Sequence, residues 1–170
     1  MKGKFQINNE GLEEYPWSVV ICENLFFVAW IVMGTILCWK MSLILGVIYL
    51  AFSTTMILVV MRKLLCTRCY YYGKRCHVGW GIISAALFAK GDIIEFASCI
   101  GSKIPPILFG SLALIPFVIS VFSIIRNPSI NTGLMIAALV LSVVYSSVVL
   151  RKKSCSMCKM KFMCPGCAAK

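Results

Sequence analysis

Seven of the ten cysteines of this 170-residue chain fall in two short segments, one central and one at the C-terminal end. The first runs Cys66, Thr67, Arg68, Cys69, Tyr70, Tyr71, Tyr72, Gly73, Lys74, Arg75, Cys76, His77; the second holds Cys155, Cys158, Cys164 and Cys167. Three Cys-x-x-Cys pairs result: Cys66 with Cys69, Cys155 with Cys158, and Cys164 with Cys167. That spacing puts two sulfurs around one ion while the intervening backbone turns and donates amide hydrogen bonds to them. Four thiolates, or three and an imidazole, complete a tetrahedral zinc shell. Seven cysteines and His77 are enough donors for two such shells. Five residues between the tail pairs is short for a zinc ribbon, and the adjacent Cys76 and His77 cannot easily face one ion together. The two segments are therefore expected to exchange ligands.

Other thiol chemistries compete with zinc. An iron–sulfur centre uses the same ligands, and Cys164-Pro165 is similar to the Cys-Pro ending of some ferredoxin motifs, without their full spacing. A Cys-x-x-Cys dithiol can also cycle redox equivalents, and juxtamembrane cysteines can be free or lipidated. Permanent disulfides are disfavoured in a reducing cytoplasm. Arg68, Lys74, Arg75, Lys159 and Lys161 offset the negative charge of a thiolate centre; membrane topology alone also accounts for them.

The elements that must position these sulfurs are membrane helices. Hydrophobic residues make up 60% of the chain and charged residues 14%, with a mean hydropathy of +0.89, whereas an ordinary soluble domain carries about 25% charged residues. The apolar residues gather into runs long enough to cross a hydrocarbon core of roughly 30 Å. Four spans are predicted, at about 17–39, 41–61, 104–125 and 132–150, in a single membrane domain covering 1–170. A tight turn around Lys40 joins the first two spans, and a turn containing Arg126, Asn127 and Pro128 joins the last two. Pro105 and Pro106 sit in the first turn of the third span, where missing donors cost little, and Pro116 lies in its middle. The fold class expected is all-α, an integral membrane four-helix bundle.

Basic residues set the orientation. The leader holds two (Lys2, Lys4), the central loop 62–103 seven, including Lys103, and the tail 151–170 six, including Lys170; the two remaining turns hold only Lys40 and Arg126. Both termini are therefore expected inside, with both cysteine segments cytoplasmic. Within the central loop, Val78 to Ala89 carries no charge, is too short to span, and is too apolar for an open loop. An interfacial or re-entrant helix is predicted there. Tyr70, Tyr71 and Tyr72 are expected to anchor the loop at the interface.

Glu23, beside Asn24, is the one acidic residue inside a predicted span. The pair is a candidate intramembrane polar site, because an ionisable group in the bilayer is costly; a structural bond to Asn24 or a neighbouring helix is the competing reading. Cys22, Cys38 and Cys99 are isolated and read as small hydrophobes.

The Cys66-x-x-Cys69-Tyr70-Tyr71-Tyr72-Gly73-x-x-Cys76 segment, followed by Gly79, Gly81 and the Lys90-Gly91-Asp92 turn, resembles small uncharacterised prokaryotic polytopic membrane proteins. The resemblance implies a prokaryotic cell membrane and supplies no activity.

No nucleophile, base and oxyanion set can be assembled, and no phosphate-binding glycine loop is present, so the sequence carries no enzyme signature. The net charge of +11 comes without a nucleic-acid motif, and no nucleic-acid partner is expected. The leading expectation is a membrane-anchored interaction or assembly module with structural zinc on Cys66, Cys69, Cys76, His77, Cys155, Cys158, Cys164 and Cys167. Its partners would be the lipid bilayer and a cytoplasmic or membrane protein, or a second copy of the chain. The alternatives are a membrane redox protein using an iron–sulfur centre or dithiol, and soft-metal transport or sensing that adds Cys22, Cys38 and the methionines.

Overall fold

A computed structural model describes residues 6–97, 99, 102, 104–126, 128–164 and 167–169. Lys2, Lys4, Lys103, Asn127, Pro165 and Lys170 lie outside the described residues. The described chain is helical, without a strand. Its four long helices are α1 (Trp17–Met41), α2 (Leu43–Arg68), α4 (Ile104–Arg126) and α5 (Ile130–Ser156), and a shorter α3 (Trp80–Leu87) lies between the two hairpins. Each long helix is long and apolar enough to cross a membrane, yet only 6–22% of its most apolar stretch is buried within the chain. Leu25, Ile107 and Ile130 are more than 60% exposed. Apolar faces of that extent have no partner among the described residues and are compatible with lipid around them.

Beside a core of large apolar side chains such as Trp30, Leu37, Leu108, Leu112 and Leu139, the interior also uses small and polar residues, which let membrane helices approach closely. α1 packs against each of the other three long helices. Gly34 lets α1 approach Tyr49 of α2: a Cβ there would stand 2.6 Å from the tyrosine oxygen. The same hydroxyl donates to the Leu112 carbonyl of α4 at 2.9 Å. Pro116 explains why that carbonyl accepts a side chain, since proline has no N–H to return to the residue four positions earlier. Ser53 and Ser120 are fully buried and donate to carbonyls of their own helices. At the Lys40 end, Lys40 Nζ donates to Thr132 Oγ1 at 3.1 Å and ties one hairpin turn to the other.

Helix ends depart from the sequence expectation in one consistent way. The first span was expected to stop at 39 and runs to Met41, with Ser42 as the break. The second and fourth were expected to stop at 61 and 150 but continue into the basic segments, α2 to Arg68 and α5 to Ser156. Lysine and arginine end an apolar run without ending a helix, because they are good helix formers. Both helices also pass through a π-helical stretch immediately before their arginine, Met56–Met61 in α2 and Ser146–Leu150 in α5. The helix expected at Val78 to Ala89 is the eight-residue α3, entered through Gly79 at φ 69°, a left-handed conformation that glycine adopts readily.

Candidate metal centre

All three Cys-x-x-Cys pairs share one backbone hydrogen bond. The second cysteine donates its N–H to the carbonyl of the first: Cys69 to Cys66 at 3.3 Å, Cys158 to Cys155 at 3.2 Å, and Cys167 to Cys164 at 3.2 Å. Two residues onward from each second cysteine a backbone N–H faces its sulfur: Ala169 donates to Cys167 at 3.5 Å, and the Tyr71 and Met160 N–H groups lie near enough to favour the Cys69 and Cys158 thiolates. An N–H aimed at sulfur favours the thiolate over the thiol. Because α2 and α5 run on past the apolar runs, Cys66 and Cys155 stand at helix ends and their partners on the turns that follow.

Tertiary packing gathers the cysteines across the chain. Cys69 lies within electrostatic reach of Cys66, Cys76 and Cys158, and Cys158 within reach of Cys155, Cys164 and Cys167. Cys69, Cys76 and Cys158 pack against one cluster formed by Tyr15, Val20 and Tyr71. Burial pushes the Cys69 thiol well above its ordinary range, against the Tyr71 N–H that lowers it, and raises Cys158 to about 11. Among the described residues, no three His, Cys, Asp or Glu side chains stand close enough together to share one ion. His77 points elsewhere, its ring 6.0 Å from that of Tyr15. Burial, with the nearby charge of Arg151, holds its pKa down at about 4, so the imidazole is neutral at pH 7.

Two buried donors beside Cys66 lack acceptors. Arg62 is only 6% exposed, lies over the Trp80 ring of α3 and is within electrostatic reach of Cys66 and Cys76, while its Nε makes no hydrogen bond among the described residues. Ser84 of α3 is fully buried with its hydroxyl facing the Cys66 sulfur, and it closes no full hydrogen bond among the described residues. Orphaned buried donors are uncommon and costly. Both would be satisfied, at least electrostatically, by negative charge on Cys66.

The acidic leader proves to be a strap, which the sequence reading missed. Asn8 and Leu12 donate backbone N–H groups to the Lys159 and Met157 carbonyls at 2.9 Å, and Tyr15 donates to the Arg75 carbonyl at 3.0 Å. The Tyr15 hydroxyl reaches the Ser154 carbonyl at 2.7 Å. Gly11 makes this crossing feasible, since a Cβ there would stand 2.8 Å from the Lys159 nitrogen. Tyr71 was expected at the interface and is instead 2% exposed; its hydroxyl donates to the Leu12 carbonyl at 2.7 Å and accepts the Lys159 N–H at 3.1 Å. One tyrosine of the central segment thus holds leader and tail together. Three of the six acidic residues lie in this leader, opposite basic segments, and that charge pairing was the available signal.

Ion pairs close the strap. Glu13 binds Lys159 at 2.8 Å and Lys74 at 3.4 Å and accepts the Tyr70 hydroxyl, while Glu14 binds Arg75 at 2.6 Å. Hydrogen bonds from Lys159, then Tyr70, hold the Glu13 carboxyl down at about 2 instead of 4.5. A depressed carboxylate contributes stability that is present above its unfolded pKa and is lost as pH falls through the folded value. The Glu13 contribution to strap closure is therefore expected to be flat from pH 8 to 5 and to weaken from about 4.5 toward 2. Hydrogen exchange of the Asn8 and Leu12 amides checks this, and Glu13→Gln should remove part of the acid dependence. The effect is modest because Glu13 is exposed to solvent.

A second signal was also present in the sequence. Val59-Val60-Met61-Arg62-Lys63-Leu64-Leu65-Cys66-x-x-Cys69 and Val148-Val149-Leu150-Arg151-Lys152-Lys153-Ser154-Cys155-x-x-Cys158 share one pattern at fixed spacing. Their π-helical stretches end at corresponding residues, Met61 and Leu150. Sequence and backbone agree that each hairpin delivers its cysteines in the same way.

Glu23 and Asn24 serve as joints between the bundle and this end. Glu23 Oε1 accepts the Ser154 hydroxyl at 3.0 Å, next to Cys155; Asn24 Nδ2 donates to the Val20 carbonyl at 2.7 Å and the Val78 carbonyl at 2.9 Å, two residues beyond Cys76. Their bonds reach α5, the loop and, through Val20, Asn24's own helix. Glu23 also lines a small cavity with Phe26, Phe27, Trp30, Ser142 and Ser146. Cys22 is exposed, Cys38 is buried, and Cys99 donates to the Phe96 carbonyl at 3.2 Å. In comparisons with protein-family models, curated proteins and solved structures, nothing matches this chain.

Proposed function

We propose that the chain is an integral membrane protein whose cytoplasmic end carries a zinc–thiolate centre, and that this centre fixes a surface for assembly with a protein partner or a second copy. The carrying observation is one backbone bond repeated in all three Cys-x-x-Cys pairs, with an N–H two residues onward facing the second sulfur of each. A thiolate ligand uses that donor; a packing cysteine has no need of it. Cys66, Cys69, Cys76, Cys155, Cys158, Cys164 and Cys167 are the ligands of this reading. His77 is left out of the set, since it stands against Tyr15 as a neutral, buried ring.

The orphaned Arg62 Nε and Ser84 hydroxyl fit the same reading, because a zinc-bound thiolate supplies the negative charge that they lack. A metal ion deprotonates the thiols it binds, so burial need not keep Cys69 and Cys158 in the thiol form once an ion is present. That same burial disfavours the dithiol reading, whose attacking sulfur needs a thiolate without help from a metal. The sulfurs must close further to share an ion, by side-chain movement within turns already shaped for it. Zinc binding then becomes folding free energy for three short segments. Basic residues at both termini and in the central loop support the cytoplasmic orientation.

Metal analysis of the full chain, purified anaerobically in detergent, tests the proposal. Stoichiometric zinc is expected in a colourless protein. Iron with visible absorbance would replace zinc by a cluster on the same ligands, and absence of both metals would sink the centre altogether.

A further inference from the structure

The metal reading above leaves open how seven thiols divide between ions. Two tetrahedral ions need eight ligand positions. The central segment brings Cys66, Cys69 and Cys76, and the tail brings Cys155, Cys158, Cys164 and Cys167. His77 cannot easily join its neighbour Cys76 on one ion, and its ring is engaged with Tyr15. One sulfur must then fill two of the eight positions, or one position stays open.

Cys158 is placed to be that sulfur. It shares the Tyr15, Val20 and Tyr71 cluster with Cys69 and Cys76, although it stands 82 or more positions from them in the chain. It is also within electrostatic reach of all three other tail cysteines. Three bonds hold it there: its own N–H to the Cys155 carbonyl at 3.2 Å, the Asn8 side chain to its carbonyl at 3.3 Å, and the next residue's N–H to the Tyr71 hydroxyl at 3.1 Å. Strap, loop and tail all converge on this one residue. In the repeated pattern it corresponds to Cys69, which lies at its side.

Resting on the zinc–thiolate reading, we infer that the seven cysteines hold two ions, with the Cys158 sulfur bridging an ion on Cys66, Cys69 and Cys76 to one on Cys155, Cys164 and Cys167. A bridging thiolate keeps each ion four-coordinate without an eighth ligand. It also joins the exits of α2 and α5 through one atom, so that neither ion is held independently of the other.

The test is cadmium-113 magnetic resonance on the full chain in detergent, loaded anaerobically with cadmium-113. Two resonances in the range of sulfur-rich coordination are expected, coupled to one another through the shared sulfur. This reading needs no variant, so it stands even if substitutions unfold the chain. Cys158→Ser should shift or abolish both resonances, while Cys167→Ser should perturb chiefly one. Two uncoupled resonances, or loss of only the tail resonance in Cys158→Ser, would overturn the bridge and leave the metal reading intact. No bound cadmium at all would overturn both.

Discussion

Replacing Gly81 by alanine is expected to detach the central cysteine loop from α3 and to cost about 3 kcal/mol or more, at the upper end of overpacking effects. The added Cβ would stand 1.8 Å from the Tyr71 carbonyl oxygen and 2.4 Å from that of Lys74. Both obstacles are backbone, so no side-chain rotation relieves them. The Gly81 carbonyl also accepts the Gly73 N–H at 3.0 Å, one of the bonds that shape the Tyr70 to Gly73 turn. Displacing that turn moves Tyr71, and with it the Leu12 and Lys159 bonds that hold strap and tail. Thiol labelling in detergent checks this: Cys69 and Cys158 should react faster in Gly81→Ala, and bound metal should be lost from the same preparation. Gly133, with nothing within 4 Å of an added Cβ, is the control, and alanine there should leave labelling unchanged. Equal labelling of Gly81→Ala and the parent would mean that the loop does not rest on α3.

Arg62→Met should have effects of opposite sign in the two metal states. In the chelated protein, the arginine is a buried cation whose Nε finds no acceptor and which no carboxylate pairs among the described residues. Removing such a charge in favour of an apolar side chain of similar length is expected to leave stability unchanged or improved. In the loaded protein the same guanidinium lies within reach of Cys66 and Cys76, where it compensates thiolate charge. Its loss should lower metal affinity about 10- to 100-fold, the usual effect of deleting an outer-shell partner. Chelator competition reads the second effect and thermal unfolding of the chelated chain the first. If affinity and stability fell together, Arg62 would be an ordinary structural residue. If affinity did not change, the thiols beside it would not be charged ligands.

Much of the architecture was legible in the residues. Because a bilayer tolerates no exposed backbone, apolar runs of spanning length point to four helices long enough to cross a membrane, and four such helices are present among the described residues. The break at Ser42, the short helix after Gly79 and the proline-bearing start of α4 follow from local chemistry. Helix length was misjudged where Arg62 to Leu65 and Arg151 to Ser154 extend α2 and α5. Hydropathy reports where the membrane ends, and these residues keep helical propensity beyond that point. A self-comparison of the chain would have found the shared Arg-Lys-x-x-Cys-x-x-Cys ending.

The sequence by itself determined that seven cysteines follow the second and fourth apolar runs and that six of them form three Cys-x-x-Cys pairs, since spacing and hydropathy are local properties. Tertiary structure alone decided which of them meet. Cys69 and Cys158 are 89 positions apart and come together through Tyr71, the strap from Asn8 to Tyr15, and the joints made by Glu23 and Asn24 on α1. Each of those contacts links segments far apart in the chain, and no periodicity or motif encodes such a distance. The same holds for His77, adjacent to Cys76 and turned toward Tyr15, and for Arg62, whose missing acceptor is visible only once α3 has closed over it. Spacing proposes ligands; packing selects among them, because a buried sulfur or guanidinium is stabilised by whatever the fold brings within reach.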